Sequence, residues 1–444
     1  MALVMQRGLL EFLVETAGRY GDVAHFRAGR NKYYLLSHPE HIRDVLVTHD
    51  ANFTKGPALR NAKVTLGEGL LTSEDPLHRR QRRLVQPAFQ PHRVAGYADT
   101  MVRYAERLAD RWRDGQGIDS SEEMTRLTLE IVAKALFDAE IDEKVRQIGE
   151  AMAVTVTMFD RARTPLAPLL NRLPLPSNFR FRRSLKRVVE TVERMIGQRR
   201  AGGEDRGDFL SILLNARDAE GGGGGMSDQQ VRDEAITLFS AGHETTANAL
   251  VWTWYLLAQH PQVERRLHGE LDSTLPDRLP TADEVPKLTY TRAVVSESMR
   301  LYPPAWIVGR QARADYRAGD YMVPAGGVVL MSQYVVHRDA RWWPDPLLFK
   351  PERWADKSAM DRRPRYAYFP FGGGQRSCIG EPFAWAEAVL LIATLARRWR
   401  LRLTPGQKVE LLPTITLRPK RGIRMQLERR AGVNRLSLAG TEAV

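Results

Sequence analysis

The segment that decides the fold of this chain reads Phe371-Gly-Gly-Gly-Gln-Arg-Ser-Cys378-Ile-Gly380. Cys378 is the only cysteine among 444 residues, so no disulfide forms within the chain, and one sulfur is too few for a zinc or iron–sulfur centre. A single thiolate can, however, serve as the axial ligand of a haem iron. The residues from Pro382 to Trp399 are predicted to form a helix, which places Cys378 just before its N-terminus. There the helix dipole and the free backbone N–H groups stabilise a negatively charged sulfur.

The simpler interpretation of a lone thiol is a buried cysteine that packs as a small hydrophobic residue. The pattern Phe371-x-x-Gly374-x-Arg376-x-Cys378-x-Gly380, however, resembles the haem-binding signature of the cytochrome P450 family, and every specified position matches. The resemblance implies haem b with the Cys378 thiolate on its iron and the other four residues around the cofactor. It also implies a fold that is mostly α with a minor β part, in which a long central helix lies over the distal side of the haem.

The composition is that of a globular protein, with 43% hydrophobic and 27% charged residues. We expect a single haem-thiolate monooxygenase domain over residues 1–444, with 1–18 and 428–444 as peripheral ends. No apolar run near the N-terminus approaches the roughly 20 residues that cross a bilayer, and no secretory signal is evident. Together with the single cysteine, these features predict a cytoplasmic protein without a membrane span.

The chain is basic, with 66 lysines and arginines against 53 acidic residues and a net charge of +13. Such an excess suits an acidic partner, whether nucleic acid, lipid or protein. The arginines occur in short groups, which most simply form solvated helix faces, and we find no zinc-finger or other nucleic-acid motif. We therefore predict no nucleic-acid partner. The alternative is a basic helical protein that binds nucleic acid and has an incidental cysteine; its binding would fall steeply with salt.

Apolar periodicity predicts a mostly helical chain with a small, discontinuous sheet. Strand-like patterns occur at 23–27 and 33–37, an amphipathic helix is predicted over 39–48, and the stretch 78–216 is predicted to be overwhelmingly helical. Five glycines at 221–225 predict a flexible connector. The longest helix is predicted from Ser227 to Gln259, which is roughly 50 Å at ~1.5 Å per residue. The later segments are a helix that ends at Leu301, short strands over 316–331 and a hairpin over 409–427.

The long helix contains Ala241-Gly242-His243-Glu244-Thr245-Thr246. The small pair at its start would let a flat ring approach the backbone closely. An acid beside a hydroxyl can pass protons inward, as reductive O–O cleavage requires. Glu-Thr-Thr alone is ordinary in a helix, but this segment resembles the acid–alcohol pair on the distal helix of the family. The resemblance implies that Thr245 hydrogen-bonds O2 at the haem and that Glu244 relays protons, which favours a monooxygenase.

Two further motifs predict a buried ion network. Glu297 and Arg300 are three residues apart, hence on one helix face. They and Arg353, in Phe349-Lys-Pro-Glu-Arg353-Trp354, resemble family elements in which two arginines clamp one carboxylate. Without the resemblance, Glu-x-x-Arg would be an ordinary surface pair worth ~0.3–0.5 kcal/mol. We expect loss of Glu297 or Arg300 to prevent haem incorporation. Trp354 stands where the family more often has phenylalanine.

The two propionates of haem need cationic or hydrogen-bonding partners. By resemblance the candidates are His78, Arg82, Arg310 and Arg376. Each of them alone would more simply be a surface charge. His78 and Arg82 lie one helical turn apart, which would let them act together.

The substrate pocket is expected to be apolar with few polar groups. Residues placed there by family position are Leu70, Leu71, Leu238, Ala241, Ile307, Val308 and Ile415. The segment 152–170 would form the roof of this pocket and move when substrate enters. The lack of charge among these residues predicts a lipophilic substrate. The resemblance of Arg300-Leu-Tyr-Pro-Pro-Ala-Trp306 to the family implies a terpenoid or a fatty acid.

No flavin or ferredoxin module is recognisable, so electrons would come from a separate ferredoxin or flavodoxin with its NAD(P)H reductase. Arginines near His78 and Cys378 would provide an acidic partner with a docking face. We expect a monomer that uses O2. The alternatives within haem-thiolate proteins are an isomerase, a peroxygenase or a haem sensor without NAD(P)H-linked turnover.

Overall fold

A computed structural model of the chain describes residues 8–29, 31–138, 175–203, 205–218, 220, 222–276 and 278–430. The predicted roof of the pocket, 152–170, lies outside these ranges. The helices are, in chain order, α1 Leu9–Tyr20, α2 Pro39–Arg43, α3 Pro57–Leu66, α4 Leu77–Val85, α5 Pro91–Arg111, α6 Ser120–Phe137, α7 Pro176–Gly202, α8 Phe209–Asn215, α9 Asp228–Gln259, α10 Pro261–Thr274, α11 Thr289–Leu301, α12 Gln333–Val336, α13 Lys357–Arg362 and α14 Glu381–Arg398. A π-helical turn, Asp44–Thr48, continues α2.

The strands are shorter and come from distant parts of the chain. They are β1 Val23–Ala28, β2 Asn31–Leu36, β3 Phe53–Lys55, β4 Gly117–Asp119, β5 Val308–Ala312, β6 Tyr316–Ala318, β7 Tyr321–Val323, β8 Val328–Met331, β9 Trp399–Leu403, β10 Leu411–Pro413, β11 Leu417–Pro419 and β12 Arg424–Arg429. The main sheet has the order β1-β2-β8-β5-β3, in which only β2 and β8 are parallel. The prediction of a mostly helical fold with a minor sheet is confirmed.

Helix α9 runs through the centre of the molecule and confirms the predicted long helix. It begins after a capping box in which the Ser227 hydroxyl accepts from the Gln230 N–H and the Gln230 side chain accepts from the Ser227 N–H. It ends at Gln259, and Pro261 opens the next helix. Its C-terminal half is buried on all sides, as Leu250, Trp252 and Trp254 show. A helix that is apolar all round belongs in the interior.

Helices α5, α6, α11 and α14 pack with α9 to form the largest apolar core. Residues 385–398 of α14 are all buried, so the helix that follows Cys378 is fixed by its packing and cannot shift without opening the core. This arrangement places the cysteine loop on a rigid support.

The organisation of the chain differs from the prediction in detail. The stretch 78–216, predicted to be overwhelmingly helical, also includes the three-residue strand β4, which pairs with β12 near the end of the described chain. The hairpin predicted over 409–427 consists only of β10 and β11, while β12 joins β9 and β4 in a separate sheet. Three-residue strands carry too little periodicity to be recognised, and their partners are fixed by tertiary packing.

The glycine run is less free than a flexible connector. The Arg80 guanidinium donates hydrogen bonds to the carbonyls of Gly224 and Gly225, and the Gly223 N–H donates to the Asp218 carbonyl. At the N-terminal end, Leu10 and Leu13 of α1 are buried although the sequence assigned them to a peripheral end. Of the helices that the structure describes, none is long and apolar enough to cross a membrane.

Candidate active site

Cys378 ends a glycine-rich loop directly before α14. Its backbone N–H donates to the Phe371 carbonyl at 2.9 Å, which closes the loop on itself. Burial raises the pKa of the Cys378 thiol to about 11, and the nearby N–H groups of Gly380 and Glu381 offset only part of this effect. The sulfur nevertheless has an accessible face. A deeply set thiol with one open face fits a metal ligand, because coordination to a cation supplies the charge that keeps it deprotonated.

Close packing requires two glycines of this loop, Gly373 and Gly374, and a Cβ on Gly373 would overlap the Tyr366 ring. Gly374 has a φ of +67°, and a Cβ at this position would overlap the Leu46 carbonyl of the π-helical turn. Phe371 packs on Trp385 of α14 with ring centroids 5.7 Å apart. Gly380, by contrast, has ordinary space for a Cβ, which would lie 3.9 Å from the Cys378 sulfur. The loop is thus wedged between the π-helical turn and α14.

A cluster of buried cationic side chains lies beside the loop. Lys55 of β3 and Arg310 of β5 are directly opposite each other in an antiparallel pair, and both are buried. Like charges in this position repel each other. Burial, reinforced by the charge of Arg376, lowers the pKa of Lys55 to about 7 and that of Arg310 to about 10. The carboxylates of Glu74 and Glu234 offset only part of the shift for Lys55, whose ammonium donates to the Leu70 carbonyl at 2.8 Å.

Arg376 and His78 extend this cluster. The Arg376 Nη2 lies 2.8 Å from the Glu74 carboxylate, while its Nη1 is buried and has no hydrogen-bond partner among the described residues. The His78 Nδ1 lies 3.4 Å from Asp75. Burial, with repulsion by Lys55 and Arg376, lowers the pKa of His78 to about 4, so His78 carries charge only beside a further anion. The set of donors fits a group with two carboxylates, as haem has.

Arg82 has a different immediate partner from the one expected for a propionate ligand. It donates to the Ser377 carbonyl at 2.7 Å and to the Ser377 hydroxyl at 3.3 Å, so it holds the backbone next to Cys378. Burial lowers the pKa of Arg82, and the Cys378 sulfur counters this effect. Arg82 therefore supplies positive charge on the sulfur side of the site, and its predicted contact with a propionate stays a prediction.

Sequence reasoning missed Lys55. The sequence feature that could have revealed Lys55 is the two-residue period of β3, because it places Lys55 on the same buried face of the strand as Phe53. A lysine on the buried face of a strand is rare unless a charged partner accompanies it. That partner, however, could not be identified before the pairing of β3 with β5 was known.

The distal motif lies in the middle of α9. The Thr245 hydroxyl donates to the Ala241 carbonyl at 2.7 Å, and the side chain of Ala241 is exposed. The Glu244 carboxylate accepts a 2.6 Å hydrogen bond from the Thr416 hydroxyl. A Cβ on Gly242 would lie 3.2 Å from Val132 of α6. Gly242 therefore serves helix packing, which corrects the expectation that both small residues face a flat ring.

The ion network contains the Glu297–Arg300 pair that the spacing predicts and Arg353, which the family resemblance implies. Glu297 is fully buried, and Arg300 donates to its two oxygens at 2.8 Å each, while Arg353 adds a bond at 3.1 Å. The Trp354 indole N–H donates a further bond at 3.0 Å, which sequence reasoning did not anticipate. The remaining donors of Arg300 bind the carbonyls of residues 337, 346 and 348. The network thus ties α11 to the chain that precedes the cysteine loop.

The predicted pocket residues differ in burial, and contacts with α9 are seen for Leu70 and for the turn that carries Ile415. Leu70 is buried, Leu71 and Ile415 are 37% and 39% exposed, and Leu238, Ile307 and Val308 are half-buried. The Leu70 N–H donates to Glu234 of α9 at 2.9 Å, and the turn that carries Ile415 contacts α9 through Thr416. A surface cleft of about 560 Å³ lies between residues 110–114, 398–399 and 429 and includes no predicted site residue.

Comparisons with known proteins agree with this arrangement. The family model named Cytochrome P450 matches residues 2–426. The chain is 42% identical to a cyclooctatin synthase of Streptomyces melanosporofaciens over 94% of this chain and 90% of the relative. It is 39% identical to a cyclooctat-9-en-7-ol 5-monooxygenase of the same species, over 91% and 87%, and 36% identical to a pentalenene oxygenase of Streptomyces avermitilis, over 96% and 94%. The crystal structure of the cytochrome P450DA heme domain superposes with a TM-score of 0.85 at 27% identity, covering 95% of this chain and 93% of that one.

Proposed function

Because this chain belongs to the cytochrome P450 family, we propose that it is a monooxygenase that inserts one oxygen atom from O2 into a C–H bond of a terpenoid with few polar groups. The family binds haem through a cysteine thiolate, and Cys378 is the only cysteine of the chain, so Cys378 is the axial ligand. The observation that carries the proposal is the position of Cys378, directly before α14 and beside the buried cluster of cations.

The terpenoid assignment is supported by the relatives. Their names refer to cyclooctat-9-en-7-ol, an unsaturated alcohol, and to pentalenene, a hydrocarbon. Both names describe compounds with at most one hydroxyl group, which suit the apolar side chains expected in the pocket. A fatty acid is the other substrate class that the sequence predicts, and none of the three relatives' names refers to one.

The overall reaction consumes two electrons and two protons: R–H + O2 + 2 e⁻ + 2 H⁺ gives R–OH + H2O. Bound haem supplies the cleavage of O2 and the transfer of oxygen. We assign Lys55, Arg310, Arg376 and His78 to its two carboxylates and Arg82 to the loop beside the ligand sulfur. Thr245 and Glu244 deliver protons on the distal side, as their positions in α9 favour.

The electrons come from a separate protein, for which an acidic ferredoxin or flavodoxin is the proposal. The charge near α4 is smaller than the sequence suggests, because Arg80 and Arg83 both pair with Asp218. The docking face would therefore depend on the more exposed arginines of α4, since the side chains of Arg79 and Arg83 are 51% and 41% exposed.

The test begins with the spectrum of the reduced protein under carbon monoxide. A thiolate ligand moves the main absorption band far to the red of the histidine-ligated position, and Cys378→Ala should abolish this band.

Terpene hydrocarbons, terpene alcohols and fatty acids are then screened for a change in iron spin state and for product with NADPH and a surrogate ferredoxin system. A histidine-type spectrum, or haem without any NADPH-dependent product, would contradict the proposal and favour a sensor or an isomerase.

A further inference from the structure

The turn between β10 and β11 reaches the acid of the distal motif. Within this turn, Thr416 is 4% exposed, and its hydroxyl lies 2.6 Å from the Glu244 carboxylate, although the two residues are 172 positions apart. The preceding residue, Ile415, is 39% exposed and belongs to the predicted substrate pocket. One short turn thus contacts both the expected substrate and the expected proton donor.

The direction of the hydrogen bond is fixed by a third residue. The Asn248 side chain, one helical turn after Glu244 on α9, donates its N–H to the Thr416 oxygen at 3.1 Å. A threonine hydroxyl has one proton and can both donate and accept. Because the Asn248 N–H donates to this oxygen and a carboxylate only accepts, the Thr416 proton is directed to Glu244. The carboxylate is therefore held in one orientation by a hydroxyl that is itself oriented.

The Thr416 side chain is not needed to hold the turn in place. The Trp306 indole donates to the Thr414 carbonyl at 2.9 Å, and the Trp252 indole donates to the Leu417 carbonyl at 2.9 Å. The Leu417 N–H donates to the Pro304 carbonyl at 2.9 Å. These three bonds fix the backbone on both sides of Thr416. The contact of its hydroxyl with Glu244 is thus additional to the anchoring of the turn.

From this geometry we propose that Thr416 is a positioning residue, which orients Glu244 for proton delivery and links that delivery to the turn that contacts the substrate. The proposal rests on the monooxygenase function proposed above. Its chemical consequence concerns the second proton. Hydrogen peroxide release consumes the same two electrons and two protons as oxygenation but leaves the O–O bond intact. The ratio of product to peroxide therefore reports whether the second proton is delivered correctly.

The test compares Thr416→Val, which keeps the shape but removes the hydroxyl, with Thr416→Ser, which restores it. Thr414→Val is the matched control, because the Thr414 hydroxyl donates to the Thr416 carbonyl at 3.0 Å in the same turn and does not contact Glu244. With NADPH, O2 and a surrogate ferredoxin system, we expect Thr416→Val to lower the product-to-peroxide ratio by about tenfold or more, as loss of a hydrogen bond to a charged group does. Thr416→Ser and Thr414→Val should stay within about twofold of the wild type, the spread expected of substitutions that leave this hydrogen bond in place.

Iodosylbenzene supplies a single oxygen atom and needs no proton delivery, so all variants should use it at the wild-type rate. If Thr416→Val has the same product-to-peroxide ratio as Thr414→Val, or loses iodosylbenzene-driven turnover in parallel, the proposal is overturned. Should Thr416→Val fail to fold, Thr416→Ala decides in the same way, because it also removes the hydroxyl that donates to Glu244. Failure of the function itself is separate: the wild type would then give no product with O2.

Discussion

Glu297 shows how much one buried carboxylate can organise. It accepts five hydrogen bonds, from the two donors of Arg300, from Arg353, from the indole of Trp354 and from the backbone N–H of Lys350. A buried charge is tolerated only when its hydrogen-bonding capacity is filled. The indole N–H of Trp354 supplies one of these bonds, so Trp354 is part of the network. From the sequence, Trp354 was noted only as standing where the family more often has phenylalanine.

Trp354→Phe should lower the free energy of unfolding by about 1.5–3 kcal/mol, the usual worth of a hydrogen bond to a charged group, and should speed haem loss. Denaturant unfolding and the rate of haem transfer to apomyoglobin measure these effects. Trp342→Phe is a suitable control, because the Trp342 indole N–H has no hydrogen-bond partner among the described residues. If the two variants lose the same stability, the effect belongs to the lost ring and not to the bond with Glu297.

At the scale of elements, two carboxylates of α9 hold the loop that carries Leu70. Asp233 accepts from the Glu68 N–H and Glu234 accepts from the Leu70 N–H, both at 2.9 Å. The loop approaches so closely that a Cβ at Gly69 would overlap the Thr237 hydroxyl and lie 2.6 Å from the Asp233 carbonyl. The position of Leu70 is therefore set by the contact of the loop with α9.

Gly69→Ala should push this loop away from α9 and raise KM for the substrate about tenfold, which corresponds to ~1.4 kcal/mol, with a smaller effect on kcat. A control variant separates the steric clash at Gly69 from the effect of adding a methyl group elsewhere. In Gly96→Ala on α5 the new Cβ meets nothing within 4 Å, so KM should not change. An unchanged KM in Gly69→Ala would show that the loop does not shape the pocket.

At the scale of the whole molecule, one buried acid makes stability depend on pH. Glu387 of α14 is fully buried in the largest apolar core. Burial raises the pKa of Glu387 from 4.5 to about 8, and the Thr246 hydroxyl offsets only part of the shift. Between these values the folded chain holds a proton that the unfolded chain has lost.

The free energy of unfolding should therefore fall as pH rises through that window, by at most about 1.4 kcal/mol per pH unit for this one group, and should level off above the folded pKa. The glutamine of the Glu387→Gln variant cannot ionise. The free energy of unfolding of this variant should therefore change less between pH 4.5 and about 8 than that of the wild type. Thermal unfolding at both ends measures the difference, with Glu122→Gln on the exposed start of α6 as control. Parallel curves for wild type and Glu387→Gln would contradict the prediction.

The net charge of +13 is spread over the surface of the molecule. Several arginines already pair with acidic residues, so they add little positive charge to any one docking face. Arg398 binds Glu106 and Asp110, and Arg402 binds Glu264 and Glu428. If an acidic ferredoxin docks on the remaining charge, higher ionic strength should slow reduction of the iron severalfold. Stopped-flow reduction measures the rate, and a small uncharged reductant should show no such dependence. A rate with ferredoxin that is indifferent to salt would exclude this mode of docking.

The sequence by itself determined the features that depend on neighbouring residues. The single Cys378 before a helix follows from order along the chain, as do the capped helix α9 and the pairing of Glu297 with Arg300 three residues later, because backbone geometry relates residues a few positions apart. Only the tertiary structure decided that Lys55 lies opposite Arg310, that Thr416 contacts Glu244 and that Gly242 packs on another helix. Contacts between distant residues depend on how whole elements pack, and periodicity shows which face of an element is buried but not which residue it meets.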